Sequence, residues 1–381
     1  MTRWPILLLV RELGHGGCER DLTKTALGLD RSRFEPHVGC FRAEGDRGEQ
    51  LRRGGVPIVE LPVRSFRNWT AVRGAIELRR YIRRHGIRLV HSYDVPTALF
   101  ATPVARACGV RAVLTSQLSY RELYSPREHR LLRGVDRLAH GIVVNCEAMR
   151  RHMIDDEGAA QKKILLCYNG VDTNVFQPRA SERPAALRGA RAVIGAVSNL
   201  RPEKGIDLLL RAFARMRREP GEIKCYIVGS GGCENDLRRL AKELGIDGDC
   251  VFQPGKANVD EDFRWIDIFA LPSHSEAFSN ALLEAMASGC APVGSKVGGT
   301  PELIAPGESG LLFDPGSVED LAAKLDELAR GEAYRQRLAA GARLTAEKFS
   351  IERNLSCFQS IYESMLAQKA LNPLGDARGS E

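Results

Sequence analysis

The sequence contains no apolar run long enough to cross a membrane. Its first apolar stretch, residues 4–10, is followed at once by Arg11 and Glu12, and it is far shorter than the roughly 20 residues that a spanning helix needs. It is also too short for a typical leader peptide. We therefore expect a chain that neither spans a membrane nor carries an export signal.

The ten cysteines lack the spacing of a metal site or of a disulfide framework, because no two of them form a Cys-x-x-Cys pair. Most stand in apolar surroundings, as Cys146 does after residues 142–144. This pattern is typical of reduced cysteines in a core. We expect no bound metal.

Two further motifs are missing. No clean Gly-x-Gly-x-x-Gly follows the first apolar segment, which argues against a nicotinamide oxidoreductase. Basic strands interleaved with aromatic residues are also lacking, and only 6% of the residues are aromatic, so nucleic acid is not an expected partner.

What the chain does contain is ordinary for a globular protein of two domains. It has 381 residues, of which 44% are apolar and 27% charged. The net charge of +7 is uneven, because residues 1–170 hold 29 Lys and Arg against 18 Asp and Glu, and residues 171–381 hold 26 against 30. A basic first half beside a slightly acidic second half suggests two domains with different partners.

Short continuous apolar segments alternate with helical patterns in both halves, which indicates parallel sheets covered on both faces. The strand-like segments are residues 5–10, 88–91, 112–114 and 141–144 in the first half and residues 193–197, 225–228, 250–252, 268–271 and 291–293 in the second. We predict an α/β chain of two doubly wound, Rossmann-like domains facing across a cleft. Ligands of such folds bind beyond the carboxyl ends of the strands.

The polar, proline-containing stretch 177–191 is the predicted boundary. We place the first domain at residues 1–177 and the second at residues 178–349.

The densest basic stretch is residues 77–85, and its periodicity predicts an amphipathic helix. Ile76, Leu78, Tyr81 and Ile82 are predicted on one face, with the arginines on the other. Three interpretations stay open: a solvated helix face, an anionic membrane surface, and non-specific contact with nucleic acid.

The segment 275–289 carries the clearest signs of a ligand site. A helix is predicted to begin near Ser279 or Asn280, both good cap residues, and to end at Gly289. Glu284 is its one charged interior residue, so it needs partners, either the hydroxyls of a bound ribose or a structural arginine. Glu276 precedes the helix N-terminus, whose free N–H groups favour a phosphate.

Two loops offer further groups for an anion. Arg201 and Lys204 lie in the loop 198–205, before a predicted helix, and two cations there suit a diphosphate. In the first half, Gly16 and Gly17 let the backbone approach a ligand closely.

Together these motifs resemble the retaining, nucleotide-sugar-dependent glycosyltransferases of the GT-B fold, and most of all family 4, part of glycosyltransferase group 1. The matching motifs are Glu276 and Glu284 with seven residues between them, Lys204-Gly205, Gly16-Gly17-Cys18-Glu19, Asn169-Gly170-Val171-Asp172, Gly298-Gly299-Thr300-Pro301-Glu302 and Gly310-Leu311-Leu312-Phe313. The resemblance runs from residue 6 to about residue 365. It also implies a C-terminal helix, at about residues 350–367, that packs back on the first domain.

The resemblance implies a role for each matching residue. Lys204 and a nearby arginine would hold the diphosphate, Glu284 the ribose, and Glu276 the donor sugar. The backbone around Phe278, Ser279 and Asn280 would contact the distal phosphate, and Gly16 and Gly17 would close on it from the first domain. Glu276 and Lys204 are the expected catalytic pair.

The chain departs from the family pattern at two places. The family's arginine, five residues before the lysine, is replaced by Asn199, and Arg201 stands three residues before the lysine instead. The histidine that often follows the strand near residue 115 is absent, and Gln117 stands there. His91 follows another strand and is interpreted as structural.

The sequence therefore predicts a hexosyltransferase that moves a sugar from a nucleotide-diphosphate sugar to an acceptor with retention at the anomeric carbon. Protein cations would replace a divalent metal, and no cofactor is expected besides the sugar nucleotide as co-substrate. A nucleotide-sugar epimerase on the same scaffold is the alternative, and an idle binding protein is a third hypothesis.

The basic first half adds a hypothesis about the acceptor and the place of action. We expect a cytoplasmic protein that docks on an anionic inner leaflet, where a lipid-linked or cell-envelope glycan precursor would be the saccharide acceptor.

Overall fold

The computed structural model describes residues 3–14, 16–178, 182–216, 219, 221–256 and 258–367. His15, which precedes Gly16, and residues 179–181 of the predicted boundary stretch lie outside the described residues. Within the described part, the chain forms two sheets in which every pairing of named strands is parallel. The expected α/β class with two doubly wound sheets is therefore confirmed.

The first sheet has seven strands in the order β3-β2-β1-β4-β5-β6-β7. The strands are β1 (Trp4–Leu9), β2 (Phe34–Cys40), β3 (Ile58–Glu60), β4 (Leu89–Ser92), β5 (Ala112–Gln117), β6 (Gly141–Val144) and β7 (Ile164–Leu166). The central strands β1, β4, β5 and β6 are almost wholly buried, which explains their continuous apolar sequences.

Helices cover both faces of this sheet. They are α1 (Gly17–Gly28), α2 (Asp46–Arg53), α3 (Trp69–Arg84), α4 (Val95–Ala107), α5 (Pro126–Leu138) and α6 (Glu147–Arg151), with short 3₁₀ or π turns at Arg121–Leu123, His152–Asp156 and Gln161–Lys163. Several begin at a side-chain cap, such as Asn68 before α3 and Asp94 before α4.

The second sheet has six strands in the order β10-β9-β8-β11-β12-β13. The strands are β8 (Ala192–Val197), β9 (Ile223–Val228), β10 (Cys250–Gln253), β11 (Ile268–Leu271), β12 (Ala291–Ser295) and β13 (Leu311–Phe313). The helices are α7 (Ile206–Arg215), α8 (Glu234–Glu243), α9 (Asp260–Arg264), α10 (Asn280–Ala287), α11 (Thr300–Leu303), α12 (Val318–Arg330) and α13 (Glu332–Glu347), with 3₁₀ turns at Ala185–Leu187, Pro202–Lys204 and Asp247–Asp249.

The last helix, α14 (Ile351–Ala367), returns to the first sheet. Phe358, Tyr362 and Leu366 are buried in the same apolar cluster as Ile6 and Leu8 of β1. A second apolar cluster runs from one sheet to the other, because Val144 and Met149 pack in it together with Phe278 and Leu282. The division at residues 177 and 178 stays a prediction, and the two sheets lie on either side of it.

The prediction for the basic helix was right for three side chains and wrong for one. Leu78 and Ile82 of α3 are buried and Tyr81 is half-buried, but Ile76 is 43% exposed and lies on the face of the arginines. The reason is that Gly74, Leu78 and Ile82 form the stripe that faces the core, and Ile76 stands half a turn away from it.

No helix in the described part of the chain is both long enough and apolar enough to cross a membrane.

His91 of β4 is buried against α14. Its Nδ1 lies 2.8 Å from the hydroxyl of Tyr362 and its Nε2 lies 2.9 Å from Oγ of Ser116. Burial lowers the pKa of His91 from 6.5 to about 3, because the charged imidazolium cannot be solvated there. The side chain therefore links the C-terminal helix to the first sheet in its neutral form.

This histidine makes stability depend on pH. The unfolded chain binds a proton at His91 near pH 6.5 and the folded chain does not until about pH 3, so stability is lost as the pH falls through that window. Between pH 7.5 and pH 5.5, we expect the unfolding free energy of the wild type to fall by about 1.4 kcal/mol more than that of His91→Gln, measured by urea unfolding. Equal losses in the two proteins would show that folding does not lower the pKa of His91.

Candidate active site

A cavity of about 240 Å³ lies between the two sheets, at the carboxyl ends of their strands. The first domain lines it with the start of α1 and with Leu118, Asn145 and Asn169, which follow β5, β6 and β7. The second domain lines it with residues that follow β8, β9, β10 and β11 and with the start of α10. The cavity is therefore where a doubly wound fold places its ligand.

Lys204 and Glu276 meet at the wall that the second domain contributes. Lys204 Nζ lies 2.7 Å from Glu276 Oε2, and the Ser273 hydroxyl donates to the same oxygen over 3.3 Å. Lys204 ends the turn after β8, and Gly205 follows it with a φ of +62°. A side chain on Gly205 would collide with the carbonyl oxygen of Pro272, so glycine allows the two loops to approach.

A pair of glycines supports the loop that carries Glu276. Gly298 has a φ of +51°, and a Cβ there would collide with the Glu276 carbonyl oxygen. The backbone N–H of Gly299 donates to the Ala277 carbonyl over 2.7 Å. Gly298 and Gly299 thus fix the backbone of residues 276–278 by close packing and a hydrogen bond.

The N-terminus of α10 points into the cavity. Ser279 is its cap, because its hydroxyl accepts from the Leu282 N–H over 3.2 Å. Phe278, Ser279 and Asn280 all line the cavity, as their predicted role requires. The positive end of a helix of eight residues therefore faces the same space as the Lys204 ammonium.

Glu284 is held by the other domain. Its side chain is only 2% exposed, and Arg20 Nη1 of α1 lies 2.9 Å from its Oε2 and 2.8 Å from its Oε1. Lys24 Nζ lies 3.8 Å from Oε1. Of the two kinds of partner that the sequence left open for Glu284, the described structure contains the arginine.

A second contact joins α10 to α1. The side-chain amide of Asn280 donates to both carboxylate oxygens of Asp21, each over 3.0 Å. Burial raises the pKa of Asp21 and lowers the pKa of Lys24 on the same helix, because desolvation disfavours both charged forms.

Several buried polar atoms of the cavity wall have no hydrogen-bond partner among the described residues. They are Nε of Arg20, Oδ1 of Asn145, Oγ of Ser198 and Oδ1 of Asn280. Buried polar groups are normally satisfied, so this grouping indicates a space for a polar ligand.

The interdomain motif Asn169-Gly170-Val171-Asp172 lies where the chain crosses between the domains. The Asn169 amide donates to the Phe278 carbonyl over 3.4 Å, and the Gly170 carbonyl accepts from Lys24 Nζ over 3.1 Å. Val171 exchanges backbone hydrogen bonds with the second crossing, since its N–H donates to Phe349 and its carbonyl accepts from Ile351.

Glu302, the last residue of the Gly-Gly-Thr-Pro-Glu motif, is a further link. Its carboxylate accepts the backbone N–H groups of Glu147 and Ala148 over 3.0 and 2.9 Å, and the Tyr168 hydroxyl over 2.8 Å. A carboxylate from the second domain thus holds the N-terminus of α6 in the first.

Two of the predicted site residues do not line the cavity. Gly16 stands just before α1, and a Cβ on it would collide with the Glu19 carboxylate, whereas Gly17 lines the cavity with open space around it. Arg201 is 60% exposed and lies 3.5 Å from Glu203, whereas Asn199 is in the wall. The predicted donor contacts of Gly16 and Arg201 stay predictions.

Gln117 and His91, the two first-domain positions compared with the family's histidine, both lie in the interior. Gln117 is buried at the end of β5, where its amide donates to the Ser119 carbonyl over 2.5 Å and its Oε1 accepts from Arg121 Nε over 3.2 Å. Gln117 therefore organises the loop 118–121, whose first residue, Leu118, lines the cavity. His91 is buried among β4, β5 and α14 and is not in that wall.

Sequence reasoning missed Arg20, Asp21, Arg47 and Lys256, all of which line the cavity. Two of them could have been found by their position in the sequence. Arg20 and Asp21 lie near the start of the helix that follows the Gly16-Gly17 turn at the carboxyl end of β1, where doubly wound folds bind ligands. Within the described ranges, no three His, Cys, Asp or Glu side chains group closely enough to hold a metal ion. The metal-free site stays a prediction.

Two family models match the chain, one in each half. Residues 15–175 match Glycosyltransferase Family 4, and residues 179–345 match Glycosyl transferases group 1. Curated relatives include the D-inositol 3-phosphate glycosyltransferases of Saccharomonospora viridis, 34% identical over 63% of this chain and 58% of the relative, and of Stackebrandtia nassauensis, 32% identical over 61% and 56%. The matches thus span a little over half the length of these relatives.

Solved structures share the fold at low identity. The Anabaena protein HepE, in complex with UDP and glucose, has a TM-score of 0.83 and 20% identity over 95% of this chain and 100% of its own. The sucrose-phosphate synthase of Thermosynechococcus elongatus has a TM-score of 0.82 and 17% identity over 96% and 100%. These likenesses confirm the expected GT-B arrangement.

Gly298 and Gly316 allow a matched test of the loop support. Both have a left-handed φ, but a Cβ at Gly298 meets the Glu276 carbonyl whereas a Cβ at Gly316 has nothing within 4 Å. We expect Gly298→Ala to lower the unfolding free energy by about 2 kcal/mol more than Gly316→Ala, in equilibrium urea unfolding. Equal effects would mean that only the backbone conformation matters and that the close approach does not.

The Arg20–Glu284 pair predicts strong coupling between the two residues. Arg20→Met leaves a buried carboxylate with Lys24 as its remaining cation, and we expect a loss of about 3 kcal/mol in urea unfolding. The double variant Arg20→Met/Glu284→Gln should recover at least half of that loss, because the buried carboxylate that Arg20 neutralised is then gone as well. The exposed pair Arg53–Glu49 is the control, and Arg53→Met should cost under about 1 kcal/mol. Additive single effects of Arg20→Met and Glu284→Gln would contradict the coupling.

Proposed function

We propose that this chain, whose first domain belongs to Glycosyltransferase Family 4 and whose second belongs to the glycosyl transferases group 1, moves a hexosyl unit from a nucleotide-diphosphate sugar to an acceptor with retention. One observation carries the proposal: the Lys204–Glu276 pair and the N-terminus of α10 share one cavity wall. That wall presents a cation, a helix N-terminus and a carboxylate, which suit a diphosphate joined to a sugar.

The bound donor is proposed to replace contacts that the side chains of the cavity wall now make with each other. The diphosphate takes the Lys204 ammonium and the N–H groups at Ser279 and Asn280. The ribose hydroxyls take the Glu284 carboxylate, and Arg20 then adds positive charge from the first domain. The unpartnered polar atoms of the wall support this exchange, because none of them finds a hydrogen-bond partner in the part of the chain that the structure describes.

The chemistry asked of these residues is mainly electrostatic. The bond between the anomeric carbon and the diphosphate oxygen breaks, and the acceptor oxygen bonds to that carbon on the same face. The acceptor proton leaves with the diphosphate. Lys204 and the helix N-terminus stabilise the charge that develops on the leaving group, and Glu276 orients the donor sugar. Protein cations are proposed to serve where other enzymes use a divalent ion.

The donor and acceptor classes rest on different observations. HepE has been solved with UDP and with UDP-glucose, so UDP-sugars are the first donors to test. We propose a lipid-linked or cell-envelope glycan precursor as the acceptor, because the first domain is strongly basic and suits an anionic membrane surface. The names of the curated relatives add D-inositol 3-phosphate to the acceptor panel.

A panel of nucleotide sugars, first screened by thermal shift and then incubated with acceptors, tests the function. The true donor should raise the melting temperature most, because ligands stabilise the state that binds them. The product should keep the anomeric configuration of the donor in its proton NMR spectrum. A donor that is epimerised without any acceptor would support the epimerase alternative instead.

Mutation of Lys204 tests the proposed leaving-group site most directly. Lys204→Ala removes the cation beside the leaving group and should lower kcat/KM about 10²-fold in a coupled assay of nucleotide diphosphate release. Lys242→Ala, on the exposed face of α8 in the same domain, is the matched control and should keep the wild-type value. Near-normal turnover of Lys204→Ala would overturn the assignment of the leaving-group site.

A further inference from the structure

The exposed face of α3 is apolar in its first half. Trp69 is 70% exposed, and Val72 and Ile76 follow it on the same face, three and seven residues later. These three side chains form one line along the exposed side of the helix. A line of apolar side chains that includes a largely exposed tryptophan is uncommon on a free surface. Trp69, Val72 and Ile76 are called the α3 patch below.

The patch is held in place and cannot fold inward. The opposite face of α3 packs Leu78 and Ile82 into an apolar core with Phe100. The Phe66 ring stacks on Phe100 with centroids 6.4 Å apart and an interplanar angle of 8°. A Cβ on Gly74 would collide with Val63, so the helix lies directly on the loop beneath it. The exposed apolar side chains are therefore fixed on a rigid element.

The second half of the same face is basic. With 3.6 residues per turn, Arg80 and Arg83 fall in line with the α3 patch, and Arg73, Arg79 and Arg84 flank that line. All five arginines are exposed. Within the described part of the chain, the only ion pair formed by these five is the 3.8 Å contact of Arg80 with Glu77. The face thus offers uncompensated positive charge next to apolar surface.

The orientation of α3 connects this face to the cleft. The helix begins after the carboxyl end of β3, and the carboxyl ends of the parallel strands are the end of the first sheet that faces the cavity. From there α3 runs back toward the amino ends of the strands. The α3 patch therefore stands at the rim of the first domain, and the arginines lie farther from the cleft.

We propose that this face of α3 inserts into an anionic lipid bilayer. The α3 patch enters the boundary between headgroups and acyl chains, and the arginines contact headgroup phosphates. The inference rests on the membrane docking proposed above and adds the surface and the mode, namely apolar insertion together with charge. It places the rim of the acceptor domain at the membrane, where a lipid-linked acceptor would reach the cleft.

Charge argues for lipid over a second copy of the chain. In a symmetric dimer built on this face, the five exposed arginines of each copy would be brought together at one interface. Such like-charge contacts oppose association, whereas anionic headgroups complement them.

Trp69 itself is the probe for insertion. The chain has two other tryptophans, Trp4 and Trp265, which are half-buried and also fluoresce, whereas Trp69 is 70% exposed. Comparison with Trp69→Phe identifies the part of the emission that comes from Trp69. With vesicles of phosphatidylglycerol and phosphatidylcholine, we expect the emission of Trp69 to shift to shorter wavelength and to be quenched by brominated acyl chains. Trp69→Phe should lose this signal and still bind the vesicles.

Flotation with the same vesicles measures the contribution of the apolar residues. Trp69→Ser/Ile76→Ser should partition about tenfold more weakly than the wild type. Leu344→Ser is the matched control, because Leu344 is a 63% exposed leucine on α13 of the second domain, and it should bind as the wild type does. Salt should weaken but not abolish the binding of the wild type, because it screens only the charge contribution.

Several outcomes would overturn the proposal. Binding that high salt removes completely, with Trp69 emission unchanged, would mean docking by charge alone. A dimer that Trp69→Ser/Ile76→Ser dissociates in sedimentation velocity would assign the face to a second copy.

Thermal-shift binding of nucleotide sugars to the same variants separates this inference from the proposed function. Unchanged donor binding with lost flotation supports the α3 face, because the cavity is intact. Normal vesicle insertion by a wild type that binds no nucleotide sugar would refute the proposed function and leave the α3 face standing.

Discussion

The arrangement of the site depends on how α10 is held between the two domains. Its N-terminus faces the cavity, and its interior carboxylate, Glu284, is paired with Arg20 of the first domain. Asn280 of its first turn is bonded to Asp21 of the same first-domain helix. The helix that is proposed to hold the donor is therefore also the helix that joins the domains. A ligand that takes Glu284 from Arg20 would act on the domain contact as well as on the site.

Close backbone approaches explain why the second domain needs its glycines where they are. Gly205 packs on the loop before Glu276, and Gly298 packs behind Glu276 itself. Each keeps a left-handed φ that other residues rarely adopt. Glu302, a few residues after Gly298, reaches across to the N-terminus of α6. One short motif thus supports the loop that carries Glu276 and also binds the two domains together.

Much of the fold could be predicted from sequence, because the central strands are buried on both faces and read as continuous apolar runs. Strands β6 and β11 match the predicted residues, and α10 begins and ends where its cap and glycine indicate. Strands β2, β3, β7 and β13 were not predicted as strands. The sequence of β2 contains Glu35, Pro36 and His37 and so lacks a continuous apolar run. The other three strands have three residues each, and pairing with a neighbouring strand, not their own pattern, makes them strands.

The contacts between the domains were harder to predict than the elements themselves. Nothing local in the sequence tells that Arg20 meets Glu284, since 264 positions separate them and their meeting depends on how the domains pack. The same holds for Ile76, whose side of α3 is decided by the core that the helix covers. Lys204, Glu276 and the start of α10 could be located because they follow strands whose carboxyl ends converge.

The central claim is that a nucleotide diphosphate binds between the two sheets, held by Lys204 and by the N-terminus of α10 without a metal ion. A crystal structure of the chain soaked with a nucleotide-diphosphate sugar in the presence of a chelator tests it most directly. The account predicts the distal phosphate within hydrogen-bond distance of Lys204 Nζ and of the N–H groups that open α10. A sugar nucleotide bound elsewhere, or bound there only after a divalent metal is restored, would contradict it.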